Sequence, residues 1–279
     1  MVKVIATDLD GTLLKPRKKI TLVEKENRKF IKDFYGDIVL NSGRSPKFCA
    51  KICKNLKIEH NFIALNGAII VKNGNVIYRQ SIKKTVLDNL LDYINENYNN
   101  YQFLIYDKYD QITCFTDKKR KAKRNHLKFR IKNVRLSDKI IFSNKKVKRY
   151  LKDKTEIYKA IIYYQHIEDM ACLLKDKFSE HFEFYVNNHS IEISPKGVSK
   201  GEALKYLINT TNVKSDEVYV VGDSFNDISM FKLFKNSFLI KTSDSGLKTQ
   251  AKHVIDKFSD LINYTRLNKN FHWGKTWTR

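Results

Sequence analysis

Two carboxylates close the apolar run "VIATDLDGTLL": Asp8 and Asp10, on alternate positions, with Gly11 and Thr12 directly behind them. Other apolar runs also end in small polar or acidic residues. These ends are Ser42-Gly43-Arg44, Asn66-Gly67, and Gly222-Asp223 with Ser224, Asn226 and Asp227 just beyond. Gathered at one edge, Asp8, Asp10 and Asp223 would repel one another and need a counter-charge. A hard cation with oxygen ligands supplies one. Mg²⁺ takes a few carboxylates and keeps its other positions for water and a substrate's phosphate. Lys200, opening a helix in "GVSKGEAL", adds positive charge to the same edge. The Ser42 hydroxyl, the backbone N–H groups after it and the Asn226 amide can donate hydrogen bonds to an anion. Together these residues make a phosphate cradle with a metal.

Taken singly, each has a plainer reading. Asp10-Gly11-Thr12 and Asn66-Gly67 are turn sequences, Ser42 is a cap, and Lys200 is a solvated helix lysine. Asp223 and Asp227 are charges at a helix start. The order of the four strand ends is what argues for a site.

The elements that must position them alternate. "VKVIATD" reads as a strand buried on both faces. "TLVEKENRKFIKDF" has helical spacing, with Leu22, Glu26, Phe30 and Phe34 near one stripe and Thr21 as its N-cap. "DIVLNSGR" is a second strand, "SPKFCAKICKNL" a helix capped by Ser45 with Pro46 in its first turn, and "NFIALNGA" a third strand. This alternation predicts parallel pairing with right-handed crossovers. "IIVKNGNVIYRQ" predicts a hairpin turning at Asn73-Gly74. From about Lys83 to Ile191 the texture changes to helices such as "TVLDNLLDYINEN" between strands such as "YQFLIYD", "QITCF", "YKAIIYY" and "FEFYVNN". The last third returns to the first pattern, with "EVYVVGDSFND" a strand and "DISMFKLF" a helix. "SFLIKT" and "HVI" read as further strands and "GLKTQA" as a helical piece. The expected fold is α/β: a doubly wound, parallel-sheet (Rossmann-like) core interrupted by an inserted α+β domain. The boundaries are residues 1–82, hairpin included, 83–191 for the insertion, and 192–279. In such a sheet ligands bind beyond the carboxyl ends of the strands.

With 279 residues, 42% of them hydrophobic, the chain can bury a sizeable core. The formal net charge of +23 admits a polyanion-binding role, centred on Lys118 to Lys132 ("KKRKAKRNHLKFRIK"). It equally fits a compositional bias toward Lys, Asn, Ile, Tyr and Phe, which is the reading favoured here. Four cysteines, Cys49, Cys53, Cys114 and Cys172, lack partner ligands at metal-site spacing and read as buried free thiols. The seven histidines, His189 included, form no ligand pair. No apolar run is long enough to span a bilayer, and the N-terminus lacks the pattern of a signal peptide. A cytoplasmic protein is expected, with no membrane partner. The tail "NFHWGKTWTR" is aromatic and basic.

The constellation resembles the haloacid dehalogenase (HAD) superfamily of phosphatases, in its Cof-type branch. "DLDGTLL" is similar to that family's first motif, "NSGR" to its second, "SPKGVSKGEAL" to its third and "GDSFNDISMF" to its fourth, in the family's order. The insertion resembles the family's α/β cap. "SFLIKTSDSGLKTQA" departs from the small-residue segment usual after the fourth motif.

The resemblance implies a Mg²⁺-dependent phosphatase working through an aspartyl-phosphate. Asp8 would be the nucleophile, and Asp10 the proton donor to the leaving oxygen and then the base for water. Mg²⁺ would sit on the carboxylates of Asp8 and Asp223 and the carbonyl of Asp10. Lys200 would neutralise Asp8 and the phosphoryl oxygens. Ser42, Gly43, Asn226 and the Leu9 backbone N–H would hold the phosphoryl group. Asp227 would orient Lys200 or a metal-bound water, and Ser224 would border the metal. Arg44 and Asn66 are supporting candidates; for Arg44 a phosphate contact, a substrate contact and a structural ion pair all stay open. Expected substrates are small phosphorylated metabolites. Sugar phosphates come first, with nucleotides, flavin mononucleotide or pyridoxal phosphate behind. A phosphomutase working on sugar phosphates is the second enzyme reading.

Overall fold

A computed structural model describes residues 2–14, 23–99, 101–107, 112–116, 139–141, 156–187 and 190–265. For 112–116 and 139–141 it describes the backbone alone. Thr21, Leu22, the Lys118–Lys132 stretch, His189 and the C-terminal tail lie outside the described residues.

The chain forms two compact units: Met1–Arg79 with Val198–Arg279, and Gln80–Gly197. The first is built on an eight-stranded sheet of order β14-β13-β12-β1-β2-β3-β4-β5. Strand β1 (Val4–Thr7) lies at the centre, parallel to β2 (Asp37–Asn41) on one side and β12 (Val218–Gly222) on the other. Outward from β2 come β3 (Phe62–Ala64), parallel, and then the antiparallel hairpin β4 (Ile69–Lys72) and β5 (Asn75–Arg79). Outward from β12 come β13 (Asn236–Ile240) and β14 (His253–Ile255), both parallel. The strand order therefore reverses between β1 and β12. At such a reversal the connections leave in opposite directions and open a crevice at the carboxyl ends.

Helices cover the sheet where the sequence alternates. Helix α1 (Lys25–Asp33) buries Asn27, Phe30 and Ile31, and Phe30 meets Phe258 edge-on at 5.5 Å. It starts three residues later than the Thr21 cap implies, behind Glu24, whose side chain makes no capping bond. Helix α2 (Pro46–Leu56) starts as its sequence predicts: Ser45 accepts from the Phe48 N–H and Pro46 fills the first turn. Cys49 and Cys53 are buried on its inner face, and burial pushes the Cys53 thiol up to about 12.

The second unit carries α3 (Lys84–Asn97) and α4 (Ile167–Phe178). Its six-stranded sheet has the order β10-β11-β9-β6-β7-β8. These strands are β6 (Gln102–Asp107), β7 (Ile112–Thr116), β8 (Lys139–Ile141), β9 (Ile157–Tyr163), β10 (Phe182–Asn187) and β11 (Ser190–Pro195). All pairings are antiparallel except β7 with β8. Leu87, Leu90, Leu91 and Ile94 of α3 and Met170 and Leu174 of α4 share one core with Phe103, Ile105, Ala160, Ile162 and Ile193. β11 pairs with β10 through Pro195, so this unit reaches past Ile191. Cys172, on α4, is exposed, which corrects its reading as a buried thiol. The outer side of an amphipathic helix has no core to enter.

Returning to the first unit, α5 (Lys200–Asn209) and α6 (Ile228–Leu233) close the far face of the large sheet. Ala203, Leu204, Leu207 and Ile208 pack with Val4, Ala6, Val39, Ile63, Val220 and Met230. A 3₁₀ turn, Phe225–Asp227, precedes α6. "GLKTQA" makes only a short turn, Ser245–Leu247, with Asp244 accepting from the Gly246 N–H at 2.8 Å. Among the described residues no helix is long and apolar enough to cross a membrane.

Leu204 is fully buried between α5 and the sheet. Leu204→Ala is expected to cost about 2–5 kcal/mol, the range for a buried leucine leaving a cavity. Urea denaturation measures this, and a loss under about 1 kcal/mol would place Leu204 outside the core.

Candidate active site

The parallel strands deliver their last residues to one edge. β1 ends at Thr7, level with Leu40 of β2 and Val221 of β12. Asp8, Ser42 and Asp223 therefore emerge side by side. The Asp8 N–H extends the ladder by donating to the Val221 carbonyl at 2.9 Å, so its backbone is fixed although its strand has ended. The chain then turns sharply, with Leu14 N–H donating to the Leu9 carbonyl at 2.7 Å. Gly11 makes that turn at φ +89°, and a Cβ there would lie 2.0 Å from Asp223 Oδ2. Both the dihedral and the space demand glycine. Thr12 Oγ1 donates to Asp223 Oδ1 at 2.9 Å. Asp-Gly-Thr is thus more than a turn: two of its three residues shape the place of an aspartate 211 positions away.

Lys200 is the first residue of α5, behind Ser199, which accepts from the Glu202 N–H. A cation there opposes the helix dipole, and this one is 1% exposed. Two carboxylates compensate it. Lys200 Nζ lies 2.6 Å from Asp8 Oδ1 and 2.7 Å from Asp227 Oδ1. Asp227 is fully buried, and its other oxygen accepts from the backbone N–H groups of Asp223 and Ser224, both at 3.0 Å. Gly222 leaves room for this, since a Cβ there would meet the Asp227 carboxyl at 2.3 Å. The start of α5 is anchored by Asn41, whose amide donates to the Lys200 carbonyl at 2.9 Å, and by Ser229 Oγ, which accepts from the Gly201 N–H. Sequence reading missed Thr12, Asn41 and Ser229 as site residues. The position of Asn41, directly before Ser42 at a strand end, was the available signal.

The anion-holding candidates form a second chain. Ser42 is buried; its N–H donates to the Ile63 carbonyl and its carbonyl accepts from the Asn66 N–H. Asn66, at φ +60° in the Leu65–Gly67 turn, accepts from the Asn226 amide at 3.2 Å. Ser224 Oγ lies 2.7 Å from Asn226 Oδ1, which orients that amide. Leu9 is buried between the two aspartates, and Gly43 follows Ser42 on the same loop. Asp10 stands apart. Its side chain is turned to Arg44, with Nε to Oδ2 at 2.6 Å and Nη2 to Oδ1 at 2.8 Å.

One oxygen each of Asp8, Asp223 and Asp227 lie within 4.8 Å of one another. Asp227 has both oxygens engaged, so Asp8 and Asp223 are the carboxylates left to bind a cation. Burial pushes the Asp8 carboxyl up; Lys200 opposes this, and Asp227, Asp223 and Asp10 add to it. Burial, then Asp227 and Asp10, push Asp223 up to about 7, against Thr12 and Lys200. For Lys200, burial lowers the ammonium, and Asp227 and Asp8 outweigh it, holding it above the ordinary lysine range. Two oxygen donors raised by burial and mutual repulsion are what a hard divalent cation relieves, so the donor set fits one.

The sequence is 27% identical over 281 residues to an uncharacterized protein of Mycoplasma capricolum, covering 94% of this chain and 99% of that one. It is 26% identical over 279 residues to the phosphatase YwpJ of Bacillus subtilis, covering 91% and 94%. Among solved structures, the HAD subclass IIB sugar phosphatase BT4131 superposes with a TM-score of 0.76 at 17% identity, over 94% of this chain and 98% of that one. That likeness is one of fold. A family model described as haloacid dehalogenase-like hydrolase matches residues 5–260, which takes in every site residue named above, and the chain belongs to that family.

Proposed function

We propose that this enzyme is a Mg²⁺-dependent phosphatase of small phosphorylated metabolites, with sugar phosphates first among them. The observation that carries the reading is Lys200 Nζ bridging Asp8 and Asp227 in the interior, beside Asp223, at the reversal of the sheet. A nucleophile that must attack an anion needs a fixed positive charge at its side. Two similar proteins support the substrate class: the phosphatase YwpJ and the sugar phosphatase BT4131.

In this reading an Asp8 oxygen bonds to phosphorus while the bond from phosphorus to the leaving oxygen breaks, and Asp10 gives that oxygen a proton. Water then attacks the aspartyl-phosphate and passes a proton to Asp10. The bond from phosphorus to Asp8 breaks and phosphate departs. Lys200 offsets charge on Asp8 and on the phosphoryl oxygens throughout. Asp227 and Asn41 hold Lys200 in place. The Ser42 hydroxyl, the N–H groups of Leu9 and Gly43 and the Asn226 amide orient the phosphoryl group. Asp8, Asp223 and the Asp10 carbonyl would hold Mg²⁺, which when bound supplies charge neutralisation at phosphorus. The enzyme acts in a reducing cytoplasm, a reading supported by the buried free thiols Cys49 and Cys53.

Phosphate release from a panel of sugar phosphates, nucleotides, flavin mononucleotide and pyridoxal phosphate tests this, with Mg²⁺ and with chelator. Release is expected only with Mg²⁺. Asp8→Asn is expected to lower it by on the order of 10⁴-fold or more, as loss of a covalent nucleophile does. Substantial turnover by Asp8→Asn would remove Asp8 from that role.

The raised Asp223 gives a second prediction. A carboxyl raised in the folded state contributes stability at low pH that is lost as pH rises through its folded value, here about 7. A bound cation reverses that loss. Mg²⁺ should therefore raise the melting temperature more at pH 8 than at pH 6. Equal shifts at both pH values would place the cation away from Asp223.

A further inference from the structure

The Arg44–Asp10 pair has no part in the mechanism above, yet it occupies the group that mechanism needs free. Both Asp10 oxygens accept from one guanidinium, at 2.6 and 2.8 Å. A planar fork gripping a carboxylate at two points fixes its plane as well as its position. The Asp10 side chain is 49% exposed, a setting in which an aspartate samples several rotamers unless something selects one.

Arg44 is itself firmly seated. Its N–H donates to Ser42 Oγ at 3.2 Å, its carbonyl accepts from the Leu65 N–H at 3.0 Å, and its Cζ lies 5.1 Å from the Phe48 ring centroid. The end of β2 and the Leu65 turn thus fix the Arg44 backbone, and Phe48 in the first turn of α2 flanks its guanidinium.

We propose that Arg44 is a positioning residue for departure of the leaving group, acting through Asp10; this rests on the phosphatase reading above. With both oxygens accepting from one guanidinium, neither Asp10 oxygen is turned toward a leaving group. Arg44 must release one oxygen before Asp10 can serve a leaving oxygen, and the remaining bond keeps Asp10 aimed. The phosphoryl anion of an arriving substrate is the competitor that draws the guanidinium away. The released Asp10 oxygen takes a proton from solvent; that O–H bond then breaks as the O–H bond of the departing alcohol forms, and the bond from phosphorus to that oxygen breaks as the bond from phosphorus to Asp8 forms.

The test compares kcat/KM for p-nitrophenyl phosphate and phenyl phosphate with Mg²⁺. p-Nitrophenolate leaves without a proton, whereas phenolate, the poorer leaving group, gains from one. In Arg44→Ala the ratio of the first to the second is expected to rise on the order of 10²-fold, the scale of a general acid. Arg44→Lys keeps the charge but not the fork and should retain most of that rise. Asp10→Asn should raise the ratio at least as much, and adding Arg44→Ala to it should change the ratio no further. A ratio unchanged in Arg44→Ala, one restored by Arg44→Lys, or effects that simply add in the double variant would each overturn the proposal. The ratio is internal to each sample, so partial unfolding does not imitate it. Should the wild type release no phosphate from these esters or from the metabolite panel, the phosphatase reading falls and this proposal with it. Release by the wild type with an unchanged ratio in Arg44→Ala overturns this proposal alone.

Discussion

An ammonium group held in the protein interior by two carboxylates is the constraint around which this site is arranged. Lys200 is 1% exposed and begins a helix, so burial and the helix dipole both act against its charge. Asp8 and Asp227 must both be present to offset that cost. Removing one partner of such a pair leaves an uncompensated buried charge, a loss of about 3–5 kcal/mol. The need propagates outward. Asp227 can serve Lys200 because the Asp223 and Ser224 N–H groups take its second oxygen. Those groups can approach because Gly222 has no side chain to block them. Gly201 likewise lets α5 lie against Ser229, where a Cβ would meet a carbonyl at 2.2 Å.

The site therefore has two characters. Asp8, Lys200 and Asp227 form a buried, closely bonded group whose charges are already oriented before any ligand arrives, which is the condition for strong electrostatic stabilisation in a low-dielectric setting. Asp10 and Arg44 are partly solvated and paired with each other. As the proposed nucleophile, Asp8 gains from that rigidity. In the proposed mechanism Asp10, which gives and then takes a proton, gains from a partner it can leave.

Much of this was legible in the chain as written. Apolar runs bounded by turn residues marked the central strands, and Ser45-Pro46 marked the start of α2. Four polar strand ends in a parallel sheet implied one shared edge. Other features resisted local reading. Helix α1 starts at Lys25, behind a Glu24 whose side chain makes no capping bond, so no local capping signal marks its start. Cys172 shares the apolar character of its helix and still faces outward, because which stripe is buried depends on what lies opposite.

The sequence by itself determined the element types, the class of the fold and the residue types gathered at the site, because periodicity and turn chemistry are properties of neighbouring residues. Tertiary structure alone decided the partners. Thr12 bonds Asp223 across 211 positions, Asn41 reaches Lys200 across 159, and Arg44 grips Asp10 across 34. Each of these polar atoms could have been satisfied by water or by a nearer group. The sheet order and the burial of Lys200 select the partner, and both depend on how distant strands line up side by side.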